Sequence, residues 1–122
     1  MTQKLTLRYL KKDRFNNSVF IASDKKEEQP QYEALMTLNE KITNKFPDAA
    51  GVPCYEGDSY ITLRITKQSK SSFREKNTYH IQFKIKQTTS KDKRTFINAV
   101  LVSSKLHTRA EKEDSGDDVD FD

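Results

Sequence analysis

Residues 78–87 of this 122-residue chain read TYHIQFKIKQ, and apolar and polar side chains alternate along the whole stretch. A period of two is typical of a β-strand with one buried and one solvated face. The same alternation occurs in KLTLRYL near the start and in SYITLRIT from Ser59, and two shorter apolar runs, SVFIA and TFINAVLVSS, also indicate strands. The sequence therefore predicts five strands.

One segment between the second and third strands has a different pattern. Pro30 stands where the first turn of a helix tolerates proline, and apolar residues follow at helical spacing as far as Phe46. We expect one α-helix near residues 30–46, followed by an ordered loop over residues 47–59. Two strands, a helix and three more strands favour a mainly β fold, a small barrel of five antiparallel strands closed by the helix. The Greek-key barrel that binds oligonucleotides, the OB-fold, fits this order. A flat α+β sheet is the alternative.

Charge is strongly segregated along the chain. Residues 1–60 carry equal numbers of acids and bases, whereas residues 61–110 carry 12 Lys and Arg against Glu75 and Asp92. Residues 111–122 carry seven acids and only Lys112 as a base. We expect a nucleic-acid-binding domain over residues 1–106 and a disordered acidic tail over residues 107–122.

The basic half favours a single-stranded nucleic acid as its partner. Cationic side chains track phosphates, and exposed aromatic rings stack on bases whatever their identity. Phe73, within a Lys/Arg/Ser loop, is the sharpest stacking candidate, although it could instead tuck back over the barrel mouth. The polar faces of the last strands, which we expect to be neighbours, add further candidates. The predicted DNA-binding residues are Tyr60, Arg64, Lys67, Lys70, Phe73, Arg74, Lys76, Tyr79, Lys84, Lys86, Lys91, Lys93 and Arg94.

Several classes of protein are disfavoured. Two histidines and one cysteine have no zinc-site spacing, and the three glycines are isolated, so we predict no enzyme, no cofactor and no metal. Cys54 cannot form an internal disulfide and is expected to be a buried thiol, which favours a reducing intracellular compartment. No apolar run is long enough to span a membrane, and the polar start argues against a secreted protein.

A basic barrel followed by the tail EKEDSGDDVDFD resembles the single-stranded DNA-binding proteins of bacteriophages and other viruses. The resemblance covers nearly the whole chain and implies a protein that coats single strands in replication, recombination and repair, in the host cytoplasm if phage-encoded. It also implies that the tail recruits replication and recombination proteins and competes with DNA, through Asp117, Asp118, Asp120 and Phe121. Two features depart from the pattern. Asp122 follows Phe121 where bacterial members end in Pro-Phe, and the helix follows the second strand, not the third.

Two other functions fit the same charge pattern. A regulatory or assembly factor that binds an acidic protein partner would also need a basic half, and no feature of the sequence distinguishes RNA from DNA. A homo-oligomer is compatible with the sequence in each case.

Overall fold

Six β-strands and one α-helix make up the part of the chain that this computed structural model describes, residues 2–66 and 73–109. A single-turn 3-10 helix, Lys26–Glu28, leads into the α-helix. The elements are β1 (Thr2–Lys12), β2 (Ser18–Ser23), α1 (Gln29–Lys45), β3 (Cys54–Glu56), β4 (Tyr60–Ile65), β5 (Thr78–Thr89) and β6 (Thr95–Thr108).

Five of these strands close into a barrel. β1 pairs antiparallel with β2 and with β5, β2 pairs with β4, and β5 pairs with β6. The barrel closes where β4 meets β6 in parallel, with Ile65 opposite Ala99 and the Thr66 N–H donating to the Ala99 carbonyl at 2.9 Å. The predicted mainly β barrel with one helix after the second strand is confirmed, with the one correction that this closing pair is parallel.

The alternation of buried and more exposed residues along the strands shows which side chains form the core. Every second residue of β4 is buried, and β5 shows the same pattern from Tyr79 to Phe83. The helix begins with Pro30 in its first turn and packs Leu35, Leu38 and Ile42 against the barrel. These apolar contacts are the source of the helix's stability, because an isolated helix of this length is marginal in water. The fully buried side chains at the centre are Leu7, Phe20, Leu35, Ile61, Leu63, Ile65, Ile81, Phe83 and Ile97.

Two boundaries differ from the sequence predictions. The loop over residues 47–59 contains β3, a three-residue strand that pairs with β4 and buries Cys54. Three residues are too few to show the alternation of a strand, and the neighbouring Gly and Pro residues are typical of a loop. β6 continues to Thr108, which pairs with Thr78, so the expected start of disorder at His107 is wrong. Its last residues are exposed, and the backbone ladder with β5 keeps them in the strand without an apolar pattern. The rest of the predicted tail, residues 110–122, lies outside the described residues.

Candidate nucleic-acid interface

Phe73 lies in an aromatic cluster at one end of the barrel. Its ring centroid is 4.9 Å from that of Tyr79, 5.0 Å from Phe20 and 5.4 Å from Tyr9. Tyr79 is only 8% exposed, and its hydroxyl accepts a hydrogen bond from the Arg74 N–H at 2.8 Å. Phe73 therefore packs over the barrel mouth, which is the alternative that the sequence analysis left open. It corrects the expectation that Phe73 and Tyr79 present their rings at the surface, and a role for either in binding DNA stays a prediction.

The predicted basic residues are spread over several parts of the barrel. Tyr60 and Arg64 lie on the outer face of β4, whereas Lys84 and Lys86 lie on the outer face of β5. Because β6 pairs with both strands, β4 and β5 are not neighbours, which corrects the expected arrangement. Arg74 and Lys76 precede β5, and Lys91, Lys93 and Arg94 form the exposed hairpin between β5 and β6. Lys67 and Lys70 lie outside the described residues. Their roles in binding DNA stay predictions.

Two tyrosines stand on the outer surface formed by β2, β3 and β4. Tyr55 is 65% exposed and lies opposite Thr62, on the side of β3 away from buried Cys54. The Tyr60 ring lies against Gly57, where a Cβ atom would come within 2.2 Å of the ring. The Gly57 N–H donates to the Tyr60 carbonyl at 2.8 Å. Glycine is therefore needed at this position to hold the Tyr60 ring where it is.

The turn between β1 and β2 presents a further aromatic ring. The Asp13 carboxylate accepts hydrogen bonds from the N–H groups of Phe15 and Asn17, each at 2.9 Å. Burial alone raises the pKa of Asp13, but these hydrogen bonds and the charge of Arg64 outweigh it, so the pKa lies below its usual value. The ionised carboxylate holds the turn, with Asn16 in the left-handed region at φ 67°. Phe15 is left 66% exposed at its tip.

Strand register places this turn at one end of the surface that carries the two tyrosines. Ser18 pairs with Ile65, so the β1–β2 turn lies where β4 ends. β6 meets β4 where Ile65 lies opposite Ala99, whereas the start of β6, after the basic hairpin, pairs with the loop that follows α1: the Ala50 N–H donates to the Thr95 carbonyl at 2.7 Å. We call the outer surface of β3 and β4, together with the β1–β2 turn, the aromatic face, made of Arg14, Phe15, Tyr55, Tyr60 and Arg64. Sequence reasoning missed Arg14, Phe15 and Tyr55. A phenylalanine within a tight Asp/Asn turn, with no apolar neighbour to pack on, was the available signal for Phe15.

A second cationic surface lies on the other side of the barrel. β1, β5 and β6 contain no Asp or Glu in their described ranges, Thr2–Lys12, Thr78–Thr89 and Thr95–Thr108. A cavity of about 550 Å³ opens between these strands and the start of α1. Its lining includes Lys4, His80, Lys105 and Gln31, and the buried Oε1 of Gln31 has no hydrogen-bond partner among the described residues. We call this surface the cationic wall, made of Lys4, His80, Lys84, Lys86 and Lys105.

The described residues hold few groups suited to covalent or metal chemistry. Cys54 is buried, as predicted, and burial raises the pKa of its thiol to about 12. Such a thiol stays protonated near neutral pH and is a poor nucleophile. Within residues 2–66 and 73–109, no cluster of three or more His, Cys, Asp or Glu side chains could bind a metal ion. In the same residues, no helix is long and apolar enough to cross a membrane.

Comparison with known proteins bears on the fold. No protein-family model matches the chain, and no curated protein matches it in sequence. Its structure is similar to the crystal structure of gp2.5, a single-stranded DNA-binding protein encoded by bacteriophage T7, with a TM-score of 0.54 and 9% sequence identity. The similarity covers 91% of this chain and 93% of that chain. The resemblance to phage single-stranded DNA-binding proteins is therefore confirmed at the level of the fold.

Proposed function

We propose that this protein binds single-stranded DNA without sequence preference and coats it, and that it is not an enzyme. The observation that carries the proposal is the aromatic face, which combines the exposed rings of Phe15 and Tyr55 and the outward-facing Tyr60 with Arg14 and Arg64. In OB-folds, the corresponding strands and loops are where oligonucleotides bind. The fold similarity to the bacteriophage T7 protein supports the same assignment.

The chemistry of the aromatic face fits a single strand better than a duplex. Stacking of one base on one exposed ring is worth about 1–3 kcal/mol and is sequence-tolerant, and it requires bases that are not already paired. Arg14 lies over the Phe15 ring, Arg64 lies on the outer face of β4, and both can contact phosphates. Duplex readers more often insert a basic helix into the major groove. Here the helix α1 packs its apolar side on the barrel, and only Lys41 and Lys45 are basic within it.

The biological roles follow from the resemblance and are part of the proposal. A coating protein of this kind would act in replication, recombination and repair, inside a reducing compartment that suits the free thiol of Cys54. We infer that the acidic segment from Glu111 to Asp122 competes with DNA for the basic surfaces and recruits partner proteins. Asp117, Asp118, Asp120 and Phe121 would carry both roles. Assembly of several copies stays a prediction.

A salt series tests the function directly. We would measure the fluorescence anisotropy of a labelled thymine oligonucleotide of ~30 nucleotides with the full chain. Affinity should fall steeply with salt, with a slope of about −0.7 in log K against log salt for each phosphate contacted. A duplex of the same length should bind more weakly.

Charge-matched variants locate the surface. Arg14→Gln with Arg64→Gln should weaken binding and reduce the salt slope, because both charges lie on the aromatic face. Lys25→Gln with Lys41→Gln removes the same charge from exposed positions elsewhere and should have little effect. Equal losses in the two pairs would mean that only net charge matters. Equal affinity for RNA would favour the RNA-binding alternative, and no binding to any nucleic acid would favour an acidic protein partner.

A further inference from the structure

The chain has two histidines, and the fold brings their rings into contact. The centroids of His80 and His107 are 4.4 Å apart, with the ring planes tilted by 42°. His80 lies in β5 and His107 in β6. The register of this strand pair shifts there, since Thr78 pairs with Thr108 while Tyr79 pairs with Leu106. His107 is therefore the extra residue of a β-bulge, a feature that re-aims a side chain out of the normal alternation.

A hydrogen bond with Thr6 can hold the His80 ring in place whether the ring is neutral or protonated. Its Nδ1 atom lies 2.8 Å from the hydroxyl oxygen of Thr6 on the neighbouring strand β1. A hydroxyl group can both donate and accept, so it donates to a neutral Nδ1 and accepts from a protonated one. Protonation of His80 does not break this contact. The Nε2 atom of the same ring is left as the group that can donate to a ligand.

The charges around the pair come from three elements. Lys4 and Arg8 lie on β1, Lys105 lies opposite His80 on β6, and Glu27 and Glu28 lie on the 3-10 helix. The two glutamates line the smaller cavity next to His107, where Arg8 holds Glu28 in an ion pair of 2.7 Å. The larger cavity beside His80 has Lys4 and Lys105 in its lining and no carboxylate. An anion would therefore be favoured in the larger cavity, beside His80.

We propose that His80, Lys4 and Lys105 form a binding site for a backbone phosphate of single-stranded DNA, with the His107 ring in contact with His80, and that a proton is taken up when the phosphate binds. This site deepens the proposed function and rests on it. Two protonated rings at this separation repel each other, and a bound phosphate offsets that repulsion. Histidine is the side chain whose charge ordinarily changes between about pH 5 and 8. Affinity therefore increases as the pH falls through this range.

Anisotropy titrations across pH test the proposal on the full chain. The probe is a thymine oligonucleotide, whose bases and phosphates keep their charges between about pH 5.5 and 7.5, and ionic strength is held constant. We expect the native protein to bind about tenfold more tightly at the lower pH, because the uptake of about half a proton on average over two pH units changes the affinity about tenfold. The affinity of the double variant, His80→Gln with His107→Gln, should change less than twofold over the same pH range. Both histidines are at exposed positions, so the double variant should fold, as its melting temperature will show.

A control variant separates the proton-linked effect from charge alone. Lys105→Gln should weaken binding at every pH and leave the pH dependence in place. A second readout is the NMR titration of the imidazole protons, whose midpoints should move to higher pH when the oligonucleotide is added.

The outcomes distinguish this site from the proposed function. If the native protein and the double histidine variant bind with the same pH dependence, the site is wrong although the protein binds single strands. Imidazole midpoints that do not move on adding DNA would contradict it in the same way. If neither the native protein nor any variant binds single-stranded DNA at any pH, the proposed function is wrong, and so is the assignment of a DNA phosphate to this site.

Discussion

The guanidinium of Arg14 lies 5.0 Å from the centroid of the Phe15 ring, at the exposed tip of the β1–β2 turn. A cation over an aromatic face is favourable, and it stiffens two side chains that otherwise have little to pack on. The pair presents a stacking surface and a positive charge at one point. It is the most exposed aromatic position of the aromatic face.

Replacing Phe15 with alanine should weaken binding to single-stranded DNA by roughly 5- to 100-fold, the loss of one base stack. The melting temperature should hardly change, because the ring is exposed. Phe15→Tyr keeps an aromatic ring and should retain most of the affinity. Anisotropy with the thymine oligonucleotide measures the effect, and native affinity in Phe15→Ala would remove the ring from the interface.

Phe73→Ala should have the opposite effect, lost stability with binding retained. The ring packs on Tyr9, Phe20 and Tyr79, and its removal should cost roughly 2–3 kcal/mol, at or below the range for a fully buried phenylalanine. Denaturant unfolding of Phe73→Ala beside Phe15→Ala gives the comparison. Unchanged stability with weakened binding would instead support the stacking role that the sequence predicts for Phe73.

The contact between Gly57 and Tyr60 can be tested by a double-mutant cycle. Gly57→Ala places a methyl group where the Tyr60 ring lies, so the ring must move, and DNA affinity should fall about as much as in Tyr60→Ala. In the Tyr60→Ala background the same substitution should have no further effect. Additive losses would show that Gly57 acts independently of the ring.

Acid stability should depend on the pair between Arg8 and Glu28. Burial alone raises the pKa of Glu28, but hydrogen bonds from Arg8 and the Ser23 N–H outweigh it, and the pKa lies below its usual value. The pair's stabilisation is therefore complete above the unfolded value of about 4.3 and is lost as pH falls through the lower folded value. Melting temperatures of the native chain and Glu28→Gln should converge in acid. Glu33→Gln, exposed on α1, should follow the native curve instead.

The proposed competition by the acidic tail predicts tighter binding when its charge is removed. Asp117→Asn, Asp118→Asn and Asp120→Asn together should raise affinity at low salt, and the gain should shrink as salt screens the charges. Asp24→Asn, Glu33→Gln and Glu40→Gln remove the same charge from exposed positions in the barrel domain. A similar gain in both triple variants would assign the effect to net charge and overturn competition by the tail.

Local patterns predicted the elements of this fold better than its site. Alternation identified three strands of the barrel and apolar runs identified the other two, and Pro30 and Phe46 marked the ends of the helix. A period of two shows which residues share a face of one strand, but not which strands are neighbours. The sequence therefore placed Lys84 and Lys86 beside Arg64, whereas β6 separates them. The position of Phe73 depends on contacts with Tyr9 and Phe20, more than 50 residues away in the sequence.

The parallel contact between Ile65 and Ala99 has a consequence for synthesis of the chain. β6 is the last strand in sequence, and it pairs with β5 along its length and with β4 at this point. While β6 has not yet left the ribosome, the four earlier strands of the barrel, β1, β2, β4 and β5, can form at most an open sheet whose apolar side is not yet fully covered. Such long-range pairing is slow to form and leaves nascent chains prone to aggregation. The barrel must therefore close late, after almost all of the basic half has been translated.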